Sequence, residues 1–256
     1  MIDARSPAAL ERQRAIHAKM ALFASLPRRV LPPVPTGFPA LDRALGTGGF
    51  PRAAMSELLG PPSSGKTTLA LQCLAHAQAC GLTAAWIDAE HSFDPAYAAG
   101  LGVALESLPV MCPRSAEDAV EMIRGLAASG AVDIVAIDSL AALTPELELD
   151  GRAAGAAGLQ SQVLCSGLGS LARVLMRSDT AILFLNQTRH RMNRSQGEPE
   201  TSAGGPALRL HADLRLVLYP VDHRSVRFRT LKDRAAGAFR EGELRYQDGL
   251  GFSKTP

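Results

Sequence analysis

The chain has no apolar run long enough to cross a bilayer, and its first residues, MIDARSPAALERQR, mix both charge signs without an apolar stretch. A spanning helix needs about 20 apolar residues, so neither a membrane contact nor a secretory signal is expected. Cysteine is scarce as well. Cys73, Cys80, Cys112 and Cys165 form no C-x-x-C pair. That excludes a zinc framework and leaves buried, reduced thiols of a cytoplasmic protein as the expectation. Charge of one sign is lacking too: 27 basic residues against 25 acidic ones leave a net charge of +2. Neither nucleic acid nor a membrane surface follows from that balance, so any basic surface must be local. There are no internal repeats. What remains is 256 residues, 46% hydrophobic and 20% charged, enough for one large domain with a sizeable core and, at most, a small appendage.

Along the chain, residues 6–27 read as a helix, with Ser6 as N-cap, Pro7 at the first helical position and Pro27 as the stop. The proline-rich RRVLPPVPTGFP that follows reads as an extended linker. The chain is therefore divided into residues 1–33, a helix and linker for an oligomer or partner contact, and a core over 34–256. In that core, apolar runs at 55–59, 83–88, 108–112, 133–138 and 181–186 alternate with helical patterns at 66–80, 115–129 and 159–178. Short apolar strands spaced by helices predict a parallel sheet buried on both faces. After residue 205, LRLVLYP, VRFRTLKD and GELRYQ are short runs with tight turns that predict an antiparallel extension.

One stretch carries specific chemistry. GPPSSGKTT (60–68) matches G-x-x-x-x-G-K-[ST], between a predicted strand and a predicted helix. Gly60, Pro61, Pro62, Ser63, Ser64, Gly65, Lys66, Thr67 and Thr68 are the candidate phosphate loop. Backbone N–H groups close around phosphate oxygens, the lysine adds a point charge, and the Thr67 hydroxyl faces a magnesium ion. About seventy residues on, the apolar DIVAID ends in Asp138, placed to hold that ion through its water shell. Both halves together predict a site for ATP with Mg2+. Glu90 follows the TAAWIDAE strand; on spacing alone it is either a base that orients the attacking water or an exposed loop acid.

The segments GPPSSGKTTLALQ, WIDAEHSFDPAYAAGLGV, SGAVDIVAIDSLAALTPELELDG, ILFLNQTR and GEPETSAGGPALRLHADLRL, in this order, resemble the bacterial RecA family over residues 34–252. The resemblance implies an α/β fold, a RecA-type P-loop NTPase core with a mostly parallel sheet, flanking helices and a C-terminal antiparallel extension. It implies a DNA-stimulated, magnesium-dependent ATPase that binds single-stranded DNA as a homo-oligomer or filament in DNA repair, recombination and the SOS response. By the same resemblance Lys66, Thr67, Glu90 and Asp138 keep the roles above, and Asp94 and Tyr97 of FDPAY lie against adenine. Gln187 would sense the γ-phosphate. The loop 188–205 would bind DNA through Arg189, Arg191, Met192, Arg194, Gly204 and Gly205. Lys232 and Arg234 would reach the nucleotide of a neighbouring subunit.

Departures from the family pattern carry a further expectation. The chain is expected to stop about where the family's core ends and to lack the family's C-terminal domain. The first DNA loop is rewritten as DGRAAGAAG (150–158), and Gln196 stands at an aromatic position of the second. Apolar wedges that unstack bases are thus nearly gone, with Met192 as the remaining candidate. A shortened relative with weak or absent strand exchange is expected. GTGGFPRAAMSELLG is also similar to ImuA, the RecA-like accessory protein of mutagenic translesion synthesis, which would act by binding RecA or a polymerase. Many members of that group have a degraded phosphate loop, whereas this one is intact.

Overall fold

Strand β1 (Ala54–Gly60) is buried at every residue, as an interior strand of a sheet covered on both faces must be. We describe a computed structural model of the chain over residues 11–16, 31–152, 158–189, 201–202 and 205–254. The other strands are β2 (Ala84–Asp88), β3 (Val110–Met111), β4 (Ile134–Asp138), β5 (Ala181–Arg189), β6 (Thr201–Ser202), β7 (Leu214–Pro220), β8 (Ser225–Asp233), β9 (Glu241–Gln247) and β10 (Gly251–Phe252). Their spatial order is β10-β9-β8-β7-β1-β5-β4-β2-β3, with β6 paired to β5. From β7 to β3 neighbouring strands run parallel, while β8, β9 and β10 pair antiparallel.

LRLVLYP opens the antiparallel extension as expected, pairing with β8 from Leu214–Asp233 to Pro220–Val226; on its other side it lies parallel to β1, pairing Ser56 with Leu214 and Leu59 with Val217. Its leucine-rich centre is buried in the sheet, as the composition of an interior parallel strand allows.

Alternation along each strand builds two core layers. On β4, Ile134 and Ala136 join the layer around the helix Lys66–Ala79, together with Leu58, Trp86 and Leu183. Val135 and Ile137 face the other way, onto the layer of Met55, Ile182, Phe184, Ile123, Leu164 and Leu171. The helices Ala116–Ser129 and Leu159–Leu175 cover that second face. Local signals set the first of these: Ser115 accepts from Asp118 N at 3.1 Å as N-cap, and Gly130 closes the other end with φ 67°.

The chain divides into two units, Met1–Leu31 and Pro32–Pro256. In the first, residues 11–16 are helical; the rest of the helix expected at 6–27 lies outside the described residues. The proline-rich segment is not wholly a linker. Val34, Thr36 and Phe38 are fully buried, and Val34 bridges Phe50 with N···O distances of 2.9 and 2.8 Å. Prolines at 33 and 35 fall on the less buried positions, where a missing N–H is tolerated in extended backbone.

Candidate nucleotide site

The register of the parallel strands decides what meets at their carboxyl ends. Gly60 on β1 stands opposite Gln187 on β5, and Asp88 on β2 stands opposite Asp138 on β4. The ends of β2, β4 and β5 therefore deliver Asp88, Asp138 and Gln187 to the edge at which β1 runs into the loop after Gly60, the edge where open α/β sheets hold ligands.

The loop after β1 turns at Gly65, whose φ of +83° lies in the left-handed region. A Cβ there would stand 2.5 Å from Phe252 Cζ, so glycine is required both by backbone and by space. Beyond it the helix Lys66–Ala79 begins. Lys66 donates to Gly60 O (3.1 Å), Pro61 O (2.8 Å) and Ser64 Oγ (3.4 Å). Burial holds its pKa below the ordinary lysine value, opposed by the charges of Asp138 and Glu90.

Thr67 Oγ1 donates to Asp138 Oδ2 at 2.7 Å. Burial pushes the Asp138 carboxyl up to about 6, with the Thr67 hydrogen bond opposing the shift and Glu90 adding to it. A hydroxyl and a carboxylate in contact, with Glu90 and Asp88 near enough to raise the acid further, make a hard oxygen set that fits a magnesium ion.

Glu90 is exposed at the mouth of the site. Its Oε1 accepts from Ser139 Oγ and, at 3.4 Å, from Gln187 Nε2. The loop carrying it is organised by buried Asp88, which accepts from Ser92 N (3.1 Å) and Phe93 N (2.9 Å). Lys66, Thr67, Asp138, Glu90 and Gln187 thus come together, although they are spread over 121 positions of the sequence, from 66 to 187.

Beside the loop lies an open cleft of about 350 Å³ lined by residues 63–68 and by Pro220, Asp222, His223, Ser225, Val226, Tyr246 and Phe252. Sequence reading assigned nothing to these later residues. The signal was present in YQDGLGF, where an aromatic pair brackets glycines, but its target was invisible. Phe252 is held by Gln72, whose amide donates to Leu250 O (3.2 Å) and Phe252 O (3.0 Å) and accepts from Phe252 N (2.8 Å). Tyr246 stacks edge-on to Phe252, with ring centroids 5.7 Å apart.

Tyr97 reaches this neighbourhood, sharing a hydrogen bond with Thr68 Oγ1 at 2.7 Å and packing on the core. Asp94 accepts from Ala96 N (2.8 Å) and Tyr97 N (3.1 Å), so its carboxylate caps the helix Pro95–Gly100. Pro61 and Pro62 bend the loop without lining the cleft.

Lys232 and Arg234 stand elsewhere. Lys232 pairs with Arg215 and Asp233 with Leu214, at the amino end of β7, which is the sheet edge opposite Gly60. There Lys232 donates to Arg209 O (3.0 Å) and Leu210 O (3.3 Å), and Arg234 donates to Asp213 Oδ1 (2.7 Å). Neither lines the cleft of its own chain.

Of the expected DNA contacts, Arg189 ends β5 and Gly205 adopts φ +69°, close to Ser161. β6 pairs back on β5, Thr188 with Ser202 and Arg189 with Thr201, so β5 continues two residues past Gln187. Arg191, Met192, Arg194, Gln196 and Gly204, and residues 153–157, lie outside the described residues. The cysteine expectation needs correcting: only Cys73 is buried, while Cys80 and Cys112 are exposed and Cys165 is half-buried. Cys80 sits at a helix end and Cys112 after an edge strand, where the core does not reach. Among the described residues no helix is long and apolar enough to cross a membrane.

A parallel sheet with a G-x-x-x-x-G-K-[ST] loop after its central strand β1, and an acidic residue ending β4 on the far side of β5, defines a P-loop nucleotide-binding core. The family model for the RecA N-terminal domain matches residues 8–251. The chain is 42% identical over 255 residues to Protein RecA of Thermus thermophilus, covering 95% of this chain and 75% of that protein. To Protein RecA of Deinococcus radiodurans it is 41% identical over 232 residues, covering 86% and 64%. The chain belongs to the RecA family.

Proposed function

We propose that the protein is a cytoplasmic, magnesium-dependent ATPase that binds single-stranded DNA in its ATP form and serves DNA repair in the damage response. The observation that carries this reading is the contact of Thr67 with Asp138 at 2.7 Å, beside a Glu90 whose carboxylate is joined to Gln187. The 60–68 loop binds the phosphates, and Tyr246 and Phe252 wall the cleft on the far side. Thr67 and Asp138 would hold magnesium, which neutralises charge on the phosphates when bound. Glu90 orients the attacking water and accepts its proton. Gln187 hydrogen-bonds the terminal phosphate and passes its loss to the loop that follows, a switch of the order–disorder kind.

That loop supplies Arg189, Arg191 and Arg194 for the phosphate backbone. Replacing the three with alanine should weaken binding to single-stranded DNA in ATP and make log K against log salt shallower by about 2, at about 0.7 per phosphate contact. An unchanged slope would place the DNA site elsewhere. Strand exchange needs bases unstacked at a few kcal/mol per step, and DGRAAGAAG offers no bulky wedge. The parent protein, given homologous duplex as well, should form few joint molecules; efficient formation would overturn the weakened-exchange reading.

Assembly completes the site. Lys232 and Arg234 face away from their own cleft, which supports their reaching a neighbour's nucleotide in a homo-oligomer or filament. Specific ATPase activity should then rise with protein concentration. Mixing Lys66→Ala with Lys232→Ala/Arg234→Ala should restore part of the activity, because some interfaces combine two intact halves. Concentration-independent activity with no restoration would argue for a self-sufficient monomer.

A further inference from the structure

Strand β1 carries a charge in its middle. Glu57 is 1% exposed, and its side chain is wholly buried between β5 and β7. An ionised carboxylate in such a place is costly unless paired and hydrogen-bonded, and here both conditions are met. Arg215 Nε on β7 donates to Glu57 Oε2 at 2.5 Å, and Asn186 Nδ2 on β5 donates to Glu57 Oε1 at 2.8 Å. Asn186 is itself fully buried.

The carboxylate fixes which way the asparagine amide points. An ionised carboxylate only accepts, so the NH2 end of Asn186 must face Glu57 and the oxygen must face the other way. That oxygen accepts the backbone N–H of Gln187 at 2.9 Å. Gln187 is the last β5 residue in the ladder with β1, opposite Gly60. Its backbone donor is therefore held by a side chain at the point where the strand leaves the ladder.

We propose that Asn186 is a positioning residue for Gln187. Clamped by the Glu57–Arg215 pair, it sets the peptide from which the Gln187 amide reaches Glu90. The inference rests on the ATPase reading above, in which Gln187 meets the terminal phosphate. It also accounts for a charged glutamate inside the buried strand β1 that the loop chemistry does not use.

The test is a double-mutant cycle read as ATP turnover with magnesium and single-stranded DNA. Asn186→Ala in the parent should lower kcat by roughly tenfold, the size expected for groups within one hydrogen-bond network, with KM for ATP nearly unchanged. In a Gln187→Ala background the same substitution should change kcat by less than about twofold, because the residue it positions is already gone. A purely structural role predicts equal losses in both backgrounds, and that result would overturn the inference. So would full activity of Asn186→Ala in the parent. If Asn186→Ala does not fold, Asn186→Thr, a strand-forming residue, carries the same comparison. A parent that does not hydrolyse ATP, or a Gln187→Ala protein with the parent's rate, would instead overturn the reading of the site and the inference with it.

Discussion

Glu90→Gln should bind ATP about as well as the parent and hydrolyse it at least about a hundredfold more slowly, the lower range for loss of a general base. The glutamine keeps the oxygen that accepts from Ser139 and Gln187, so the geometry of the mouth survives while the negative charge is lost. Lys66→Ala acts at an earlier stage. Lys66 is 8% exposed and folded against the loop carbonyls, and no other lysine or arginine lines the cleft among the described residues. Removing it should weaken ATP binding by about a hundredfold or more, the worth of a charge-assisted hydrogen bond to phosphate together with its charge. Nucleotide binding by calorimetry and phosphate release separate the two effects. Equal turnover by Glu90→Gln and the parent would remove Glu90 from catalysis; tight ATP binding by Lys66→Ala would remove Lys66 from the site.

Arg215→Met should destabilise the fold more than Glu90→Gln, Lys66→Ala or Asn186→Ala. It leaves Glu57, whose side chain is 0% exposed, without its cation. Breaking a buried pair on one side costs about 3–5 kcal/mol, or a Tm lower by roughly 10 °C for a unit of this size. The pair need not be stabilising overall, because the desolvation of both charges offsets their attraction. Glu57→Leu/Arg215→Met should therefore recover much of the lost Tm. Thermal unfolding of the parent, the single variant and the double variant checks this. An unchanged Tm for Arg215→Met would show that the pairing of Glu57 with Arg215 does not hold the sheet.

Much of this architecture was legible beforehand because its signals are local. A strand, a glycine-bearing loop of fixed spacing and a helix are contiguous, so GPPSSGKTT could be placed without knowing what surrounds it. The five apolar runs fell on β1 to β5 for the same reason: interior parallel strands are short and apolar throughout. Local signals fell short where distant pairing decides. LRLVLYP carries a mark of its antiparallel neighbour β8 but none of its parallel partner β1, which lies 158 residues earlier in the register. RRVLPPVPTGFP read as a linker because proline breaks local order, whereas the burial of Val34 and Phe38 depends on a bridge to Phe50 and on the helix Lys66–Ala79 beneath.

By itself, the sequence determined the fold class, the family and the loop proposed to bind phosphate, since each rests on residue types at short, fixed spacing. Only the tertiary structure decided which distant groups share that site. Strand register brings Gln187 beside Gly60 and Asp138 beside Asp88. The antiparallel return of β9 and β10 sets Tyr246 and Phe252 against the loop, while the run of β8 carries Lys232 and Arg234 to the opposite edge. Glu57 could not have been read at all. A glutamate in a strand is ordinarily an exposed one, and its burial follows from two partners, 129 and 158 positions away, that meet it only when the sheet closes.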